Sequence, residues 1–474
     1  MLRFYNTMTR KKEVFKPIEE GKVRLYACGL TVYDYATVGN LRAYVFVDLL
    51  RRWLEYRGFE VKHIMNVTDV DDKTIRGMQR EGTSLKEYTQ KYIDAFFEDL
   101  ERLNIKKAEI IPKATEHIED MVRLVEILLE KGYGYRGEDG SIYYDISKFG
   151  SYGKLSKMKI KELKAGARVK VDEYGKEQAG DFALWKAWDS GDGDVFWETR
   201  LGKGRPGWHV ECSAMSMKYL GETLDIHTGG VDLIFPHHEN EIAQSEAATE
   251  KKFVNYWLHN EHLLIEGQRM GKSLGNFYTL RDLLRMGHDS LAVRYLLLST
   301  HYRTQLNFTF KGLEASKKAL QRLYDFMYRL EGVKNPSKTT SGTGLEELVE
   351  KTKRDFEDAM DDDLDVGRAL AAVFGLVREV NTLIDQQKLD KADAEKVRNL
   401  ITNFDKVLGV LDSFWKGKEE ELPGEIEELI RQREEARKAK NWKTADAIRD
   451  ELQKMDIILE DTPEGIKWKK RNRP

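Results

Sequence analysis

Cysteine is nearly absent from this chain: Cys28 and Cys212 are the only two in 474 residues. Two thiols give no disulfide framework, and a chain this long without one suits a reducing, cytoplasmic compartment. Proline is scarce as well, with eight residues, which leaves long stretches free to form helix. No run of about 18 apolar residues occurs, so no membrane-spanning helix is expected. The opening Met1-Leu-Arg-Phe-Tyr-Asn-Thr7 lacks the charged and apolar regions of an export signal. A net charge of −3 excludes a uniformly basic coat for nucleic acid, though not local basic tracts. What is present is 41% hydrophobic and 34% charged sequence, enough for a large core and for about 2 to 4 domains.

The first 75 residues read as strand, helix, strand. Val23 to Cys28 is apolar, and Leu41 to Tyr56 carries Val45, Leu49, Leu50, Trp53 and Leu54 at helical spacing with Gly58 as its stop. Glu60-Val-Lys-His-Ile-Met-Asn66 follows as a second strand. This order predicts an α/β fold: a Rossmann-like parallel-sheet domain with helices on its faces. Ser141 to Ile146 and Phe182 to Trp185 read as strands of an insertion, and parallel-sheet logic resumes at Thr223-Leu-Asp-Ile-His227. Such strand ends place ligands at the carboxyl edge of the sheet. After about residue 278 the pattern is helical. Leu370, Val373, Val377 and Val380 predict a bundle, and a small unit ends in the basic Lys467-Trp-Lys-Lys-Arg-Asn-Arg473. The expected units are 1–114 and 206–277 for the two halves of the sheet domain, 115–205 for the insertion, 278–330 for a stem-contact region and the start of the helical domain, 331–415 for the helical bundle and 416–474 for the small C-terminal domain.

Three constellations carry chemistry. Cys28 at a strand end, Cys212 in an expected loop, and His237 with Glu241 one helical turn apart form a zinc set of two thiolates, an imidazole and a carboxylate. His238 is expected to point roughly 100° away from His237, as a helix-start or supporting group. Thr37-Val-Gly-Asn40 precedes the first helix, whose free N–H groups suit a phosphate, with Gly39 allowing close approach; that turn carries no Gly-x-Gly-x-x-Gly fingerprint and no P-loop. Arg269-Met-Gly-Lys-Ser-Leu-Gly-Asn276 suits a loop that closes on a polyphosphate and stabilises charge on departing pyrophosphate. Each has a bland counterpart: packed cysteines, an ordinary helix cap and a solvated basic loop.

Together these residues resemble the class I aminoacyl-tRNA synthetases, and within them the cysteinyl-tRNA synthetases. Thr37-Val-Gly-Asn40 stands where that family has His-Ile-Gly-His, and Arg269-Met-Gly-Lys-Ser273 where it has Lys-Met-Ser-Lys-Ser. Gly207 to Ala214, Phe235 to Gln244 and Asn66 to Lys73 resemble the cysteine-specific members, and the similarity runs from about Leu2 to Trp468. The resemblance implies ATP-dependent activation of L-cysteine to cysteinyl-adenylate and transfer to the 3′ end of tRNA(Cys), with one Zn2+ per chain selecting the substrate thiol and Mg2+ accompanying ATP. It assigns Thr37, Asn40, Arg269 and Lys272 to catalysis; Gly39, Asn40, Asp232 and Lys272 to ATP; and Thr31, Thr68, Trp208 and His227 to the cysteine pocket. It further assigns Arg437, Trp442, Asp446, Arg449 and Asp461 to the anticodon. The departures fall on Thr37, Asn40, Arg269 and Gly271, and they bear on rate more than on the reaction. A monomer in the cytoplasm is expected.

Two other readings share parts of this pattern. A ligase that passes activated cysteine to a small amine would need the same zinc and ATP residues but has no use for residues 330–474. A zinc-stabilised RNA-binding protein without catalysis would explain the basic tail but not the retention of Lys272 and the pocket residues.

Overall fold

The computed structural model describes residues 1–158, 180–271, 274–334, 344–411, 424–439, 441–455, 457–462 and 465–470. A short hairpin, β1 (Arg3–Asn6) and β2 (Lys11–Val14), leads into β3 (Lys22–Ala27), α1 (Val38–Tyr56) and β4 (Glu60–Met65). Helices α2 (Asp72–Glu81), α3 (Leu85–Arg102) and α4 (Ile118–Glu130) follow. Next come β5 (Gly134–Arg136), β6 (Ile142–Tyr144), β7 (Phe182–Ala187), β8 (Trp197–Thr199) and β9 (Gly202–Pro206), paired antiparallel in the order β5-β6-β7-β9-β8. Helix α5 (Trp208–Leu220) returns the chain to the main sheet, which continues with β10 (Leu224–Gly230), α6 (Glu239–Thr249) and β11 (Val254–Asn260).

That sheet has the order β11-β10-β3-β4, and every pair in it is parallel. From β3 the chain crosses to β4 on one side, and from β10 to β11 on the other. The reversal between β3 and β10 is the topological switch point, where a crevice opens at the carboxyl ends of parallel strands. Leu25 pairs with Ile226 there and Ala27 with Thr228, and the next residues are Cys28 just past β3 and Gly229-Gly230 at the end of β10. Helix α1 begins earlier than its apolar spacing indicates because Thr37 and Asn40 form a capping box. Its buried face, including Leu49, Leu50, Trp53 and Leu54, packs on the sheet.

A second small sheet follows, made of β12 (Leu263–Ile265), β13 (Gln268–Arg269) and β14 (Leu306–Phe308), with β12 central. Between β13 and β14 lie α7 (Leu280–Arg285) and α8 (Ser290–Leu298). The expectation of helix alone after residue 278 is corrected here. Leu306–Phe308 adds a strand because it pairs in parallel with Leu263–Ile265, a partner that local spacing does not reveal. The remainder is helical: α9 (Phe310–Glu331), α10 (Leu345–Asp361), α11 (Val366–Asp385) and α12 (Lys391–Leu408). Then come α13 (Gly424–Lys438) and α14 (Trp442–Lys454), and a final hairpin of β15 (Ile457–Thr462) and β16 (Gly465–Lys470). No helix among the described residues is long and apolar enough to cross a membrane.

Two buried charged joints tie these parts together. Asp48 on α1 receives Arg52 at 2.8 Å, Arg294 of α8 at 2.6 Å and the Lys106 backbone N–H at 2.9 Å. The same guanidinium groups reach the carbonyls of Leu103 and Asn104 beyond α3, and those of Lys406 and Leu408 at the end of α12. Asp363, fully buried after α10, receives the Tyr5 backbone N–H at 2.8 Å, the Tyr302 hydroxyl at 2.6 Å and the Arg303 Nε at 2.8 Å. Beside it Arg3 bridges to Asp362, and the amino terminus meets Asp361.

Candidate active site and metal centre

The two cysteines meet at the switch point. Their Sγ atoms are 3.8 Å apart. Cys28 Sγ is 3.8 Å from Glu241 Oε1, which in turn lies 3.1 Å from His237 Nε2. One donor atom from each of Cys28, Cys212, His237 and Glu241 falls within 4.8 Å of all the others. This donor set fits zinc: two thiolates on one tetrahedral ion at ~2.3 Å each stand about 3.8 Å apart. The charges point the same way. Burial drives the Cys28 thiol well above its usual range, with hydrogen bonding to Cys212 adding to the rise, whereas the bond to Cys28 draws Cys212 down. Burial also works against the Glu241 carboxylate, but His227 and His237 outweigh it and bring it to about 2. Two thiols and an ionised carboxylate gathered in a dry site favour a cation among them.

Local structure explains how these donors converge, and it corrects two expectations. Cys212 is not in a loop; it lies on α5, whose buried face turns Cys212 toward Cys28. His238 does not point away. The backbone between Ile234 and His238 is not regular α-helix, because Phe235 takes an extended conformation and precedes a cis proline. His238 does occupy the expected helix-start position, at the N-cap of α6, but its ring turns inward, with Nε2 3.3 Å from Cys28 Sγ. Cys28, His227, His238 and Glu241 therefore form a second convergent donor group. Only the first group contains both sulfurs. In the second, His227 sits on the other oxygen of Glu241, Oε2, at 2.9 Å, while His238 Nδ1 is tied to His259 and through it to Thr7 Oγ1, each at 2.8 Å.

Close backbone approach shapes the floor. A side chain at Gly29 would collide with the Asn66 carbonyl, since its Cβ would lie 1.5 Å from that oxygen. At Gly229 a Cβ would stand 2.7 Å from His238 Cε1. Both glycines exist because strand and ring must pass at that distance.

A cavity of about 760 Å³ opens beside the sulfurs. Cys28, Thr31, Trp208 and Asp232 line it, and so do Thr37, Gly39, Asn40 and Arg269. Thr31 and Trp208, expected to serve cysteine, and Gly39, Asn40 and Asp232, expected to serve ATP, thus face one space. Trp208 stacks on His237 with ring centres 4.1 Å apart. Thr68 and His227 stand behind the wall. Thr68 Oγ1 donates to Glu211 at 2.9 Å, joining the end of β4 to α5, and His227 is fully buried. Thr37 is placed differently from a phosphate donor: its hydroxyl donates to Asn40 Oδ1 at 2.8 Å within the capping box. That leaves the Asn40 amino group and the start of α1 facing the cavity. Lys272 lies outside the described residues.

The two nucleotide signatures touch. A Cβ on Gly39 would be 3.1 Å from the Met270 methyl, and Thr37 bridges to Thr279, with the Val38 N–H donating to Tyr278 at 3.0 Å. Asn276 clamps the loop root, accepting from Gly271 N at 2.8 Å and donating to the Arg269 carbonyl at 3.0 Å. The sequence motifs assign no role to Asn66, His209, Glu211 or His259, which the fold brings in as supports. Asn66 Oδ1 accepts from Gly29 N at 2.9 Å, and His209 Nδ1 lies 2.9 Å from His237 Nδ1. Spacing carries no signal for such supports, because their partners are remote in sequence. Far from this site, Trp442, Asp446 and Arg449 are exposed on one helix, α14. Arg437 lies on the preceding α13 and Asp461 on β15, opposite Ile466.

Comparison with known proteins agrees with this architecture. The model of the tRNA synthetases class I (C) catalytic domain matches residues 14–318, the DALR domain residues 355–412, and the cysteinyl-tRNA ligase anticodon binding domain residues 419–468. A cysteine–tRNA ligase of Protochlamydia amoebophila is 52% identical over 473 residues, covering 99% of this chain and 98% of its own. That of Brachyspira hyodysenteriae is 50% identical over 475 residues and 99% of both chains. Among solved structures, Mycobacterium tuberculosis methionyl-tRNA synthetase in complex with methionyl-adenylate shares the fold, with a TM-score of 0.60 and 14% identity over 82% of this chain and 90% of that one. With half of all positions identical from end to end, the chain belongs to the cysteine–tRNA ligase family.

Proposed function

We propose that this protein activates L-cysteine with ATP and transfers it to tRNA(Cys). The observation that supports this most strongly is the single cavity lined by Cys28 of the sulfur-rich donor set and by both nucleotide signatures. In the first step an oxygen of the cysteine carboxylate attacks the α-phosphorus of ATP, the bond to the β-phosphate oxygen breaks, and pyrophosphate leaves with that electron pair. The start of α1 and the Asn40 amino group meet the α-phosphate, where Gly39 lets it approach. Arg269, with Lys272, neutralises the charge that grows on pyrophosphate. A ribose hydroxyl of the terminal tRNA adenosine then attacks the carbonyl carbon, its proton passes to the phosphate, and the bond to the phosphate oxygen breaks as AMP leaves. No side chain needs to move a proton far; alignment and charge dominate.

Cys28, Cys212, His237 and Glu241 would hold zinc, which when bound supplies a soft Lewis acid that takes a thiolate and discriminates against a serine hydroxyl. Trp208 and Thr31 enclose the amino acid, while His227 steadies the donor Glu241 and Thr68 holds Glu211, the neighbour of Cys212 on α5. Asp232 stands at the cavity wall for the amino group or the adenosine. Mg2+ accompanies ATP. The unit at 416–474 reads the anticodon, with Trp442 as a stacking surface and Arg437, Asp446, Arg449 and Asp461 as further base or phosphate contacts.

Cysteine-dependent exchange of radiolabelled pyrophosphate into ATP by the zinc-loaded protein tests activation, and charging of tRNA(Cys) tests transfer. No exchange would overturn the reading, and exchange without charging would favour a small acceptor. Trp442→Ala is expected to leave exchange unchanged and to lower kcat/KM for charging by roughly 5- to 150-fold, the loss of one base stack worth ~1–3 kcal/mol. An equal fall in both assays would refute a role confined to tRNA.

A further inference from the structure

Arg42 follows the first nucleotide signature by two residues, on the second turn of α1, and is 2% exposed. All of its hydrogen-bond acceptors are backbone carbonyls. Nη1 donates to Glu261 at 2.7 Å and His262 at 2.6 Å; Nη2 donates to Thr304 at 2.5 Å and His301 at 3.5 Å. These carbonyls belong to two separate segments. Glu261 and His262 enter β12, and His301 and Thr304 enter β14, the two strands that run parallel in the small sheet. The segments also bond to each other, Glu261 N to the Tyr302 carbonyl at 2.8 Å.

The small sheet carries Arg269. Its Leu264 pairs with Arg269 across the β12–β13 turn, and residues on both gripped segments, Glu261, His262 and Gln305, line the cavity. One guanidinium therefore joins the helix that presents Gly39 and Asn40 to the sheet that presents Arg269. The forked shape of the group matters here, because a planar guanidinium with donors on two edges fixes two strands at once, whereas an ammonium is a single point. We propose that Arg42 is a positioning residue for adenylate formation, setting the distance between the two walls that meet opposite ends of the ATP triphosphate. This rests on the reading of the cavity as the site of cysteine activation.

The test is a double-mutant cycle on pyrophosphate exchange in the full-length, zinc-loaded protein, with Arg42→Lys, Arg269→Ala and both together. A misplacement of about 1 Å costs on the order of 10²-fold in rate, so Arg42→Lys is expected to lower kcat/KM for ATP by roughly 10- to 100-fold. KM for cysteine and the zinc content should stay within about twofold of the parent, because neither donor set nor cysteine wall touches Arg42. In the Arg269→Ala background the same change should cost less than about threefold, since the distance it sets no longer matters; contacting networks deviate from additivity and independent sites do not. Arg42→Ala supplies a second arm: millimolar guanidinium ion, well below denaturing levels, should restore part of its exchange activity. The proposal is overturned by additive costs in the cycle, by parent-like exchange in Arg42→Lys, or by loss of zinc and cysteine affinity in step with ATP. A parent protein without exchange would instead overturn the functional reading itself.

Discussion

Cys212→Ser is expected to empty the metal site and to silence cysteine activation. The four donors converge from the residue after β3, from α5, from the turn before α6 and from α6 itself, and the 3.8 Å sulfur pair is the geometric core of the set. A closed zinc site is worth roughly 10–16 kcal/mol, so one donor of four accounts for about 3–4 kcal/mol and its removal weakens binding by roughly 10²–10³-fold. A serine hydroxyl at this position stays protonated and is a poor ligand for a soft ion. Metal analysis of the purified variant should fall from about one zinc per chain towards none, and cysteine-dependent exchange should fall with it. Far-ultraviolet circular dichroism should change little, because Cys212 sits inside an intact helix. Parent-level activation without zinc would show that selection of the thiol does not depend on this site.

The second large effect lies away from the chemistry. Asp48 is fully buried between Arg52 and Arg294 and is the only carboxylate those two guanidinium groups contact among the described residues. Asp48→Asn preserves shape and removes the charge, leaving two buried cations with only the Asp405 carboxylate, which neither contacts, to balance them; removing one partner of such a group costs about 3–5 kcal/mol. The midpoint of urea unfolding should shift accordingly, with the slope unchanged. The pH dependence has a definite sign. Burial alone would raise the Asp48 carboxyl, but Arg294 and Arg52 outweigh it and hold it below its ordinary value. Its contribution is thus fully present above the unfolded carboxylate range, near about 4, and is lost as pH falls through the lower folded value. The gap between parent and variant should narrow in acid, and a constant gap would rule out the charge as its cause.

Much of this is legible in the sequence, for reasons particular residues make plain. The parallel sheet is readable because β3, α1 and β4 follow one another directly and keep their own apolar periods. The convergent donor set is readable because thiols are so rare here that two of them near a His–Glu pair stand out. Pairings between distant segments are not. Leu306–Phe308 is a strand only by virtue of Leu263–Ile265. The reach of His238 depends on the irregular backbone at Phe235, which helical spacing cannot anticipate. Thr37 reads as a phosphate donor because its type permits it; in the fold its hydroxyl is turned to Asn40. A residue type shows what a side chain can do, and the partner that claims it is settled by tertiary structure.

The joint at Asp363 bears on how the chain is made. Tyr5 near the amino terminus donates its N–H to Asp363, and the terminal amine meets Asp361. Strand β1 therefore cannot complete its contacts until about 360 further residues have been made, roughly 20–70 s of synthesis at ~5–20 residues per second. The central pair is delayed as well, since Leu25 waits for Ile226. For that interval β3 holds an unpaired apolar edge, the kind of surface on which nascent chains aggregate or recruit chaperones. Closure at Asp363 then reports that synthesis has passed from the catalytic sheet into the bundle.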